Sequence, residues 1–299
     1  MNLQKGSKGN LVVSWQKFIG VTPDGDFGKK TAEATRFWQA QNGLRADGIV
    51  GAQSLKIAQQ LGLVLPVTVA TEPISNTNMK FDRQKFYDGF RRWRGKITDE
   101  QVKGLEFLFE SIENDPHVSR LDWVAYMLAT TMHETAFTFL PIHEYGGKAY
   151  FVKRYGGQTA LGERLGNDTP DEGAIYAGQG YVQLTGEDNY ERAEIAVRRE
   201  YPEVIANWEK KTGKKFDLTV GDQPNDFADP NNAQDPQIAY VIMSFGMRTG
   251  MFTGKKLSNY FNSKQDWFNA RRIINGIDHA QLIANSGKRF EQVLSAAKI

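Results

Sequence analysis

An otherwise helical pattern of apolar residues breaks once in this chain, and the break decides how many bodies it can form. Residues 61–79, LGLVLPVTVATEPISNTNM, carry Pro66 and Pro73, several β-branched residues and a Ser/Asn/Thr cluster, with no period to anchor a helix. Such a stretch reads as an extended linker, or as a single edge strand crossing a domain surface. As a linker over residues 66–79, it separates a head of residues 1–65 from a body of residues 80–299. Charge divides at the same place. The head has eight Lys/Arg against four Asp/Glu, the remainder 29 against 31, so a total of +2 combines +4 on the head with −2 beyond it.

Composition narrows the function. With 40% hydrophobic residues the chain can bury a core, which excludes wholesale disorder. A net charge so close to zero argues against a dedicated nucleic-acid binder. There is no cysteine, so a disulfide scaffold, a cysteine zinc site and a thiol nucleophile are excluded together. No apolar run approaches the roughly 20 residues that a membrane span needs, and the start, MNLQKGSKGN, lacks the apolar stretch of an export signal. The expectation is a soluble protein without stable membrane association that reaches its working place by another route.

The head contains an internal echo. Asp24-Gly-Asp-Phe-Gly28 and Asp47-Gly-Ile-Val-Gly51 share the form D-G-x-φ-G, and a helical pattern follows each, over residues 29–42 and 52–61. An earlier helix over residues 10–18 places Leu11, Val12, Trp15 and Phe18 on one face. Three short helices around one small core follow. A calcium loop starting at Asp24 fails, because its twelfth position, which requires a bidentate Glu, is Thr35. Gly6 and Gly9, the two Trp-Gln pairs (Trp15-Gln16 and Trp38-Gln39), Gly43-Leu44 and the two D-G-x-φ-G turns together resemble the peptidoglycan-binding type 1 domain over residues 3–61. The resemblance implies a module that holds bacterial cell wall without cleaving it. A helical oligomerisation module of the same shape is the plainer alternative.

The body predicts helices over residues 83–93, 98–114, 121–137, 189–200, 236–248, 255–262, 264–275 and 279–297. Thr98 and Gln101 form a capping box. Residues 139–186 are Gly- and Tyr-rich without strong periodicity, which marks a working surface or a small strand subdomain. Near the end of the 121–137 helix, Glu134 projects from about the same face as Met127. A carboxyl held against apolar surface resists ionisation and suits a general acid, although a buried ion pair would also account for it. Glu144 follows ten residues later in a turn-like segment, so the two could act as acid and base on a glycosidic bond. His133, Glu134 and His143 do not make H-E-x-x-H, and no G-x-S-x-G occurs, so neither a zinc hydrolase nor a serine hydrolase is expected.

Three further stretches join Glu134: residues 165–173 (LGNDTPDEG), residues 176–190 (YAGQGYVQLTGEDNY) and residues 271–276 (RRIING). Together they resemble glycoside hydrolase family 19, nearest its phage endolysin branch. The resemblance implies a lysozyme-like, largely helical fold that cleaves β-1,4-linked amino sugars with inversion. On it, Glu134 matches the general acid, Glu144 the second carboxylate and Thr185 the residue that helps to hold the attacking water. Gln183 and Asn275 match groove positions, and Tyr181 offers a flat face for a sugar ring; Tyr190 could line the groove or pack in the core. Glu163 is the other candidate for the base. The chain departs from the pattern at Gln179, where Arg is usual, at Ile277 after Gly276, and in the short spacing of its acids. These departures favour peptidoglycan over chitin.

The expectation for the whole chain is therefore a mainly α protein: a small three-helix wall-binding domain followed by a large α-helical lysozyme-like domain. It would act as a monomeric phage muramidase on bacterial peptidoglycan, without cofactor or metal. It would be made in the host cytoplasm and released to the wall through a pore formed by another protein. A chitinase of the same fold, a virion-associated wall-degrading enzyme and a non-catalytic wall binder are the rivals.

Overall fold

A computed structural model describes residues 3–63, 79–219 and 229–299; the predicted linker lies outside these residues except for Met79. The chain divides into two compact units, residues 1–71 and 72–299. Among the described residues it is mainly helical, as the apolar periodicity predicts.

The first unit holds helices α1 (Asn10–Phe18), α2 (Lys29–Gln41) and α3 (Ala52–Gln60) around Leu3, Val12, Trp15, Phe27, Val50 and Ala58. Trp15 and Trp38 meet edge to face at 5.1 Å. What the two D-G-x-φ-G turns have in common is a buried glutamine that each one wraps. Gln16 donates its amide to Asp24 Oδ1 (2.7 Å), the Asp26 carbonyl (3.0 Å) and Thr31 Oγ1 (3.0 Å), and accepts from Gly25 N (2.8 Å). Gln39, 23 residues on, donates to Asp47 Oδ1 (2.9 Å), the Ile49 carbonyl (2.8 Å) and Ser54 Oγ (3.1 Å), and accepts from Gly48 N (2.8 Å). Only a side-chain amide offers donors and an acceptor together at this reach. Each Asp also accepts from the backbone N–H two residues on, forming an Asx turn. Gly25 (φ +76°) and Gly48 (φ +79°) take the left-handed conformation that such a turn needs.

The second unit begins at Met79, which is buried in its core and so belongs to the body rather than to a linker. Helices α4 (Arg83–Arg94) and α5 (Asp99–Glu113) pack with their rings together: Phe86 meets Phe109 edge to face at 4.6 Å. The Thr98–Gln101 capping box forms in both directions, at 3.2 and 2.9 Å. Helix α6 (Leu121–Glu134) is buried on nearly every face, as the central helix of a large core must be. It is the rod from which Glu134 emerges.

After α6 come strand β1 (Ile142–His143), the short helices α7 (Lys148–Tyr155), α8 (Ala160–Arg164) and α9 (Glu172–Ile175), and strand β2 (Gln179–Gly180). β1 and β2 are antiparallel, with Ile142 opposite Gly180 and His143 opposite Gln179. Then follow α10 (Glu187–Glu200), α11 (Pro202–Thr212), a 3-10 turn Pro230–Gln234, α12 (Pro236–Thr249), α13 (Leu257–Tyr260), a second 3-10 turn Asn269–Ile273 and α14 (Ala280–Ala297). The helices expected over 255–262 and 264–275 shrink to α13 and the second 3-10 turn. Between them the chain reverses, pairing Phe261 with Gln265 and returning Asp266 N to the Tyr260 carbonyl at 2.9 Å.

Candidate active site

Helix α6 stops at Glu134, three residues short of the expected end. Thr135 Oγ1 donates back to the Thr131 carbonyl at 2.7 Å and accepts from Phe139 N at 3.0 Å, which turns the chain. Ala136, Phe137 and Phe139 then take positive φ of 48°, 71° and 58°. Left-handed backbone costs a non-glycine residue about 1–2 kcal/mol. Burial of Phe139 offsets it, and Gly104 on α5 accepts the turn so closely that a Cβ there would lie 2.5 Å from the Phe139 carbonyl oxygen. The turn fixes Glu134 at the end of a rigid helix and leads the chain directly to Glu144.

Glu134 does not face an apolar wall, as the helical spacing suggests. Arg271, from the second 3-10 turn, donates Nη1 to Glu134 Oε1 at 2.5 Å, and its Nε is held by the Asp278 carbonyl at 3.1 Å. The side chains of Arg271 and Glu134 are 5% and 13% exposed, so this ion pair is largely desolvated. Oε2 makes no hydrogen bond among the described residues, so the carboxyl is anchored by one oxygen and open at the other. Beside it, the rings of His133 and His279 lie 4.8 Å apart. Burial holds His133 below the usual histidine range, with the charge of Glu134 opposing. A groove of about 220 Å³ between α6 and α14, lined by Met132, His133, Phe137 and Leu282 among others, flanks this end of the helix.

A second cluster forms where β1 meets β2. Glu144 N donates to the Gly178 carbonyl at 2.7 Å. The Glu144 carboxylate accepts from the Tyr155 hydroxyl at 3.0 Å and from Gly178 N at 3.4 Å. Burial and the Glu144 charge both push the Tyr155 hydroxyl up, so it stays a donor to the carboxylate. Thr185 Oγ1 donates to the Gln183 carbonyl at 2.9 Å, and Gln183, in left-handed backbone at φ +53°, donates its amide to the Ile142 carbonyl at 3.2 Å. All three side chains converge on Gly178: a Cβ there would meet Gln183 Oε1 at 2.9 Å, Glu144 Oε2 at 3.1 Å and Thr185 Oγ1 at 3.2 Å. A carboxylate, a hydroxyl and an amide oxygen around a hydrogen-bearing Cα is an arrangement that can hold and polarise a water.

The structure thus brings Glu144, Thr185 and Gln183 together, and places Glu134 in a separate pairing with Arg271. Asn275 is exposed, donates its backbone N–H to the Arg271 carbonyl at 3.1 Å, and caps Gly276 N with Oδ1 at 2.8 Å. Glu163 is exposed on α8, apart from the contacts that gather around Gly178. Tyr181 requires a correction. It is fully buried in the core, so no ring face is left for a sugar, and burial pushes its hydroxyl well up. Tyr190 is likewise core, donating to the Ala177 carbonyl at 2.9 Å. The exposed aromatic faces beside Glu144 are instead Tyr145 (74% exposed) and Tyr150 (43%). Gln179 is buried and accepts from Gln234 at 3.0 Å, so this substitute for the usual Arg serves packing rather than the groove. Arg271 stands in the RRIING stretch and Tyr155 in the Gly- and Tyr-rich run, but neither local pattern signals that the residue partners an acid.

Compared with known proteins, residues 14–57 match the family of peptidoglycan binding domains, covering both buried glutamines of the first unit. No curated protein and no solved structure matches the chain. The N-terminal unit thus carries a domain of the peptidoglycan-binding type, which supports association with the cell wall.

Proposed function

We propose that the chain is a peptidoglycan hydrolase in which the first unit tethers the enzyme to the wall and the second cleaves the glycan. Tethering raises the local concentration of an insoluble substrate around the catalytic unit. The observation that carries this reading is the convergence of Glu144, Thr185 and Gln183 on Gly178, in a chain whose other notable acid, Glu134, is anchored through one oxygen only. Those are the residues that the likeness to family 19 glycoside hydrolases singles out. In this reading Glu134 protonates the glycosidic oxygen from Oε2 while Arg271 fixes Oε1. Glu144 takes a proton from the water that Thr185 Oγ1 orients, and that water attacks the anomeric carbon from the opposite face. The substrate is the β-1,4 bond between N-acetylmuramic acid and N-acetylglucosamine. The setting is phage-driven lysis, with synthesis in the host cytoplasm and a separate pore-forming protein giving access to the wall.

Mass spectrometry of digested sacculi tests the reaction. A new reducing muramic acid end supports a muramidase; a reducing glucosamine end or an anhydro end refutes it. The residue roles are tested by Glu134→Gln, which is expected to abolish clearing of sacculi while sparing retention on them, and by Glu144→Gln, which is expected to lower turnover about 10²–10⁴-fold. A comparable loss in Glu163→Gln, with Glu144→Gln active, would transfer the base to α8.

A further inference from the structure

A cavity of about 450 Å³ lies on the first unit, between α2 and the second D-G-x-φ-G turn, away from the acids. Its walls carry Lys5, Lys29, Glu33, Arg36, Asp47 and Gly48, and no aromatic ring. Lys29 lies 3.8 Å from Glu33, and Asp47 is committed to its own turn, accepting from Gln39 and from Ile49 N. Lys5 and Arg36 make no ion pair or hydrogen bond among the described residues. The groove therefore holds two cations whose side chains have no partner among the described residues.

The 23-residue repeat supplies an internal comparison. Both copies bury a glutamine and wrap it with an Asp-Gly turn, so both do the same work for the fold. They differ in what covers the turn glycine. In the first copy a Cβ on Gly25 would meet Val13 Cγ2 at 3.1 Å, and Gly9 N donates to the Gly25 carbonyl at 2.9 Å, which closes the turn. In the second copy the equivalent Cβ on Gly48 would meet Arg36 Cζ and Nε, both at 3.1 Å, and Ala32 uses its N–H within α2 on the Gly28 carbonyl at 3.0 Å. Arg36 stands where the first copy has Val13, Ala32 where it has Gly9, and Lys29 where it has Gly6. Folding is served by valine in the first copy, so the guanidinium in the second has another task.

We propose that this groove binds a stem-peptide carboxylate of peptidoglycan, with Arg36 and Lys5 as its cationic contacts. The inference rests on the first unit being a wall binder and names the part of the wall it takes. The glycan backbone of peptidoglycan is uncharged and is generally gripped by flat aromatic faces, which the groove lacks. Carboxylates lie on the stem peptides, and a planar guanidinium pairs with a carboxylate through two parallel hydrogen bonds. Glu33 and Asp47 beside the cations suit a ligand that also carries an ammonium group, as the diamino acid of a stem peptide does, and would repel a polyphosphate.

The test is competition for retention of the full-length protein on purified sacculi on ice. Free stem tetrapeptide is expected to displace it, while its amidated form, peptide-free glycan strands whose lactyl carboxyls have been amidated and a glycerol phosphate polymer leave it bound. Arg36→Val is expected to weaken retention roughly tenfold, the scale of one charged hydrogen bond, with unchanged thermal unfolding. Lys5→Ala is expected to act in the same direction, and Lys8→Ala, whose lysine pairs with Asp26 at 2.9 Å, to leave retention unchanged. Displacement by glycan strands or by the phosphate polymer instead of the peptide would overturn the inference, as would full retention of folded Arg36→Val and Lys5→Ala. Failure to bind sacculi at all would overturn the wall-binding reading itself, a result distinct from binding that the peptide does not compete.

Discussion

Gly178→Ala is the sharpest perturbation of the proposed hydrolytic site, because it adds one carbon at the point where the side chains of Glu144, Thr185 and Gln183 meet. Ordinary contact begins near 3.4 Å, and the new Cβ would lie 2.9 Å from Gln183 Oε1, 3.1 Å from Glu144 Oε2 and 3.2 Å from Thr185 Oγ1. Each oxygen must therefore retreat by between 0.2 and 0.5 Å. All three are ends of side chains, so the fold can yield, and the overpacking cost is about 1–3 kcal/mol. For a domain of this size that lowers Tm by roughly 2–4 °C per kcal/mol. The effect on chemistry is larger. The methyl occupies the space between the carboxylate and the hydroxyl and shifts both; a 1 Å misplacement costs about 10²-fold in rate, so a shift of up to half that size corresponds to about 10-fold. The expected outcome is turnover down about 10-fold, retention on sacculi unchanged, and a modest fall in Tm. Release of reducing ends, pelleting with sacculi and calorimetry measure the three. A folded Gly178→Ala protein with undiminished turnover would refute the assignment of this cluster to the reaction.

Arg271→Met leaves Glu134 as a desolvated carboxylate without its partner, expected to cost about 3–5 kcal/mol of stability. Adding Glu134→Gln should recover much of that loss in thermal melts; equal melting of all three proteins would show that the pair is not energetically coupled. Gln16→Leu and Gln39→Leu each remove four hydrogen bonds from a buried turn and are expected to destabilise the first unit by similar amounts, about 2–4 kcal/mol, read by tryptophan fluorescence through Trp15 and Trp38. A large effect at one glutamine alone would contradict their equivalence. At the start of α10, burial together with the charges of Glu172, Glu191, Asp168 and Asp188 pushes Glu187 up to about 8. Its folded value lies above its unfolded one, so the neutral form stabilises the fold below about pH 4.5 and that contribution is lost as pH rises to about 8. Glu187→Gln should therefore gain stability over the unsubstituted protein progressively between those values, and a difference in Tm that does not vary with pH would refute this.

Much of the helical framework was legible because long apolar periods fix it: α1 matches its expected bounds, and the Thr98–Gln101 box opens α5 where the two residue types require it. Helix α11 was missed although Pro202 at its first turn and Gly213 in left-handed backbone at its end are the usual boundary signals. The C-terminal end of α6 falls earlier than the periodicity predicts because a single threonine hydroxyl competes there for a helix carbonyl, a local bond that periodicity does not register. Side-chain partners were the least legible part. Arg271 reaches Glu134 across 137 residues, and nothing in the local pattern of either announces it. Tyr181 was assigned to the groove because it stands inside a motif, but a motif does not say which face of a short strand region each residue takes. The repeated turn is the opposite case. One sequence there contains two copies of a single folding device, so positions that both copies keep, such as Gln16 and Gln39, are accounted for by the fold. Where the copies part, Val13 closes its turn by packing against Gly25, and the fold does not account for Arg36 at the matching position. That separation needs no second protein for comparison, because the chain supplies both copies itself.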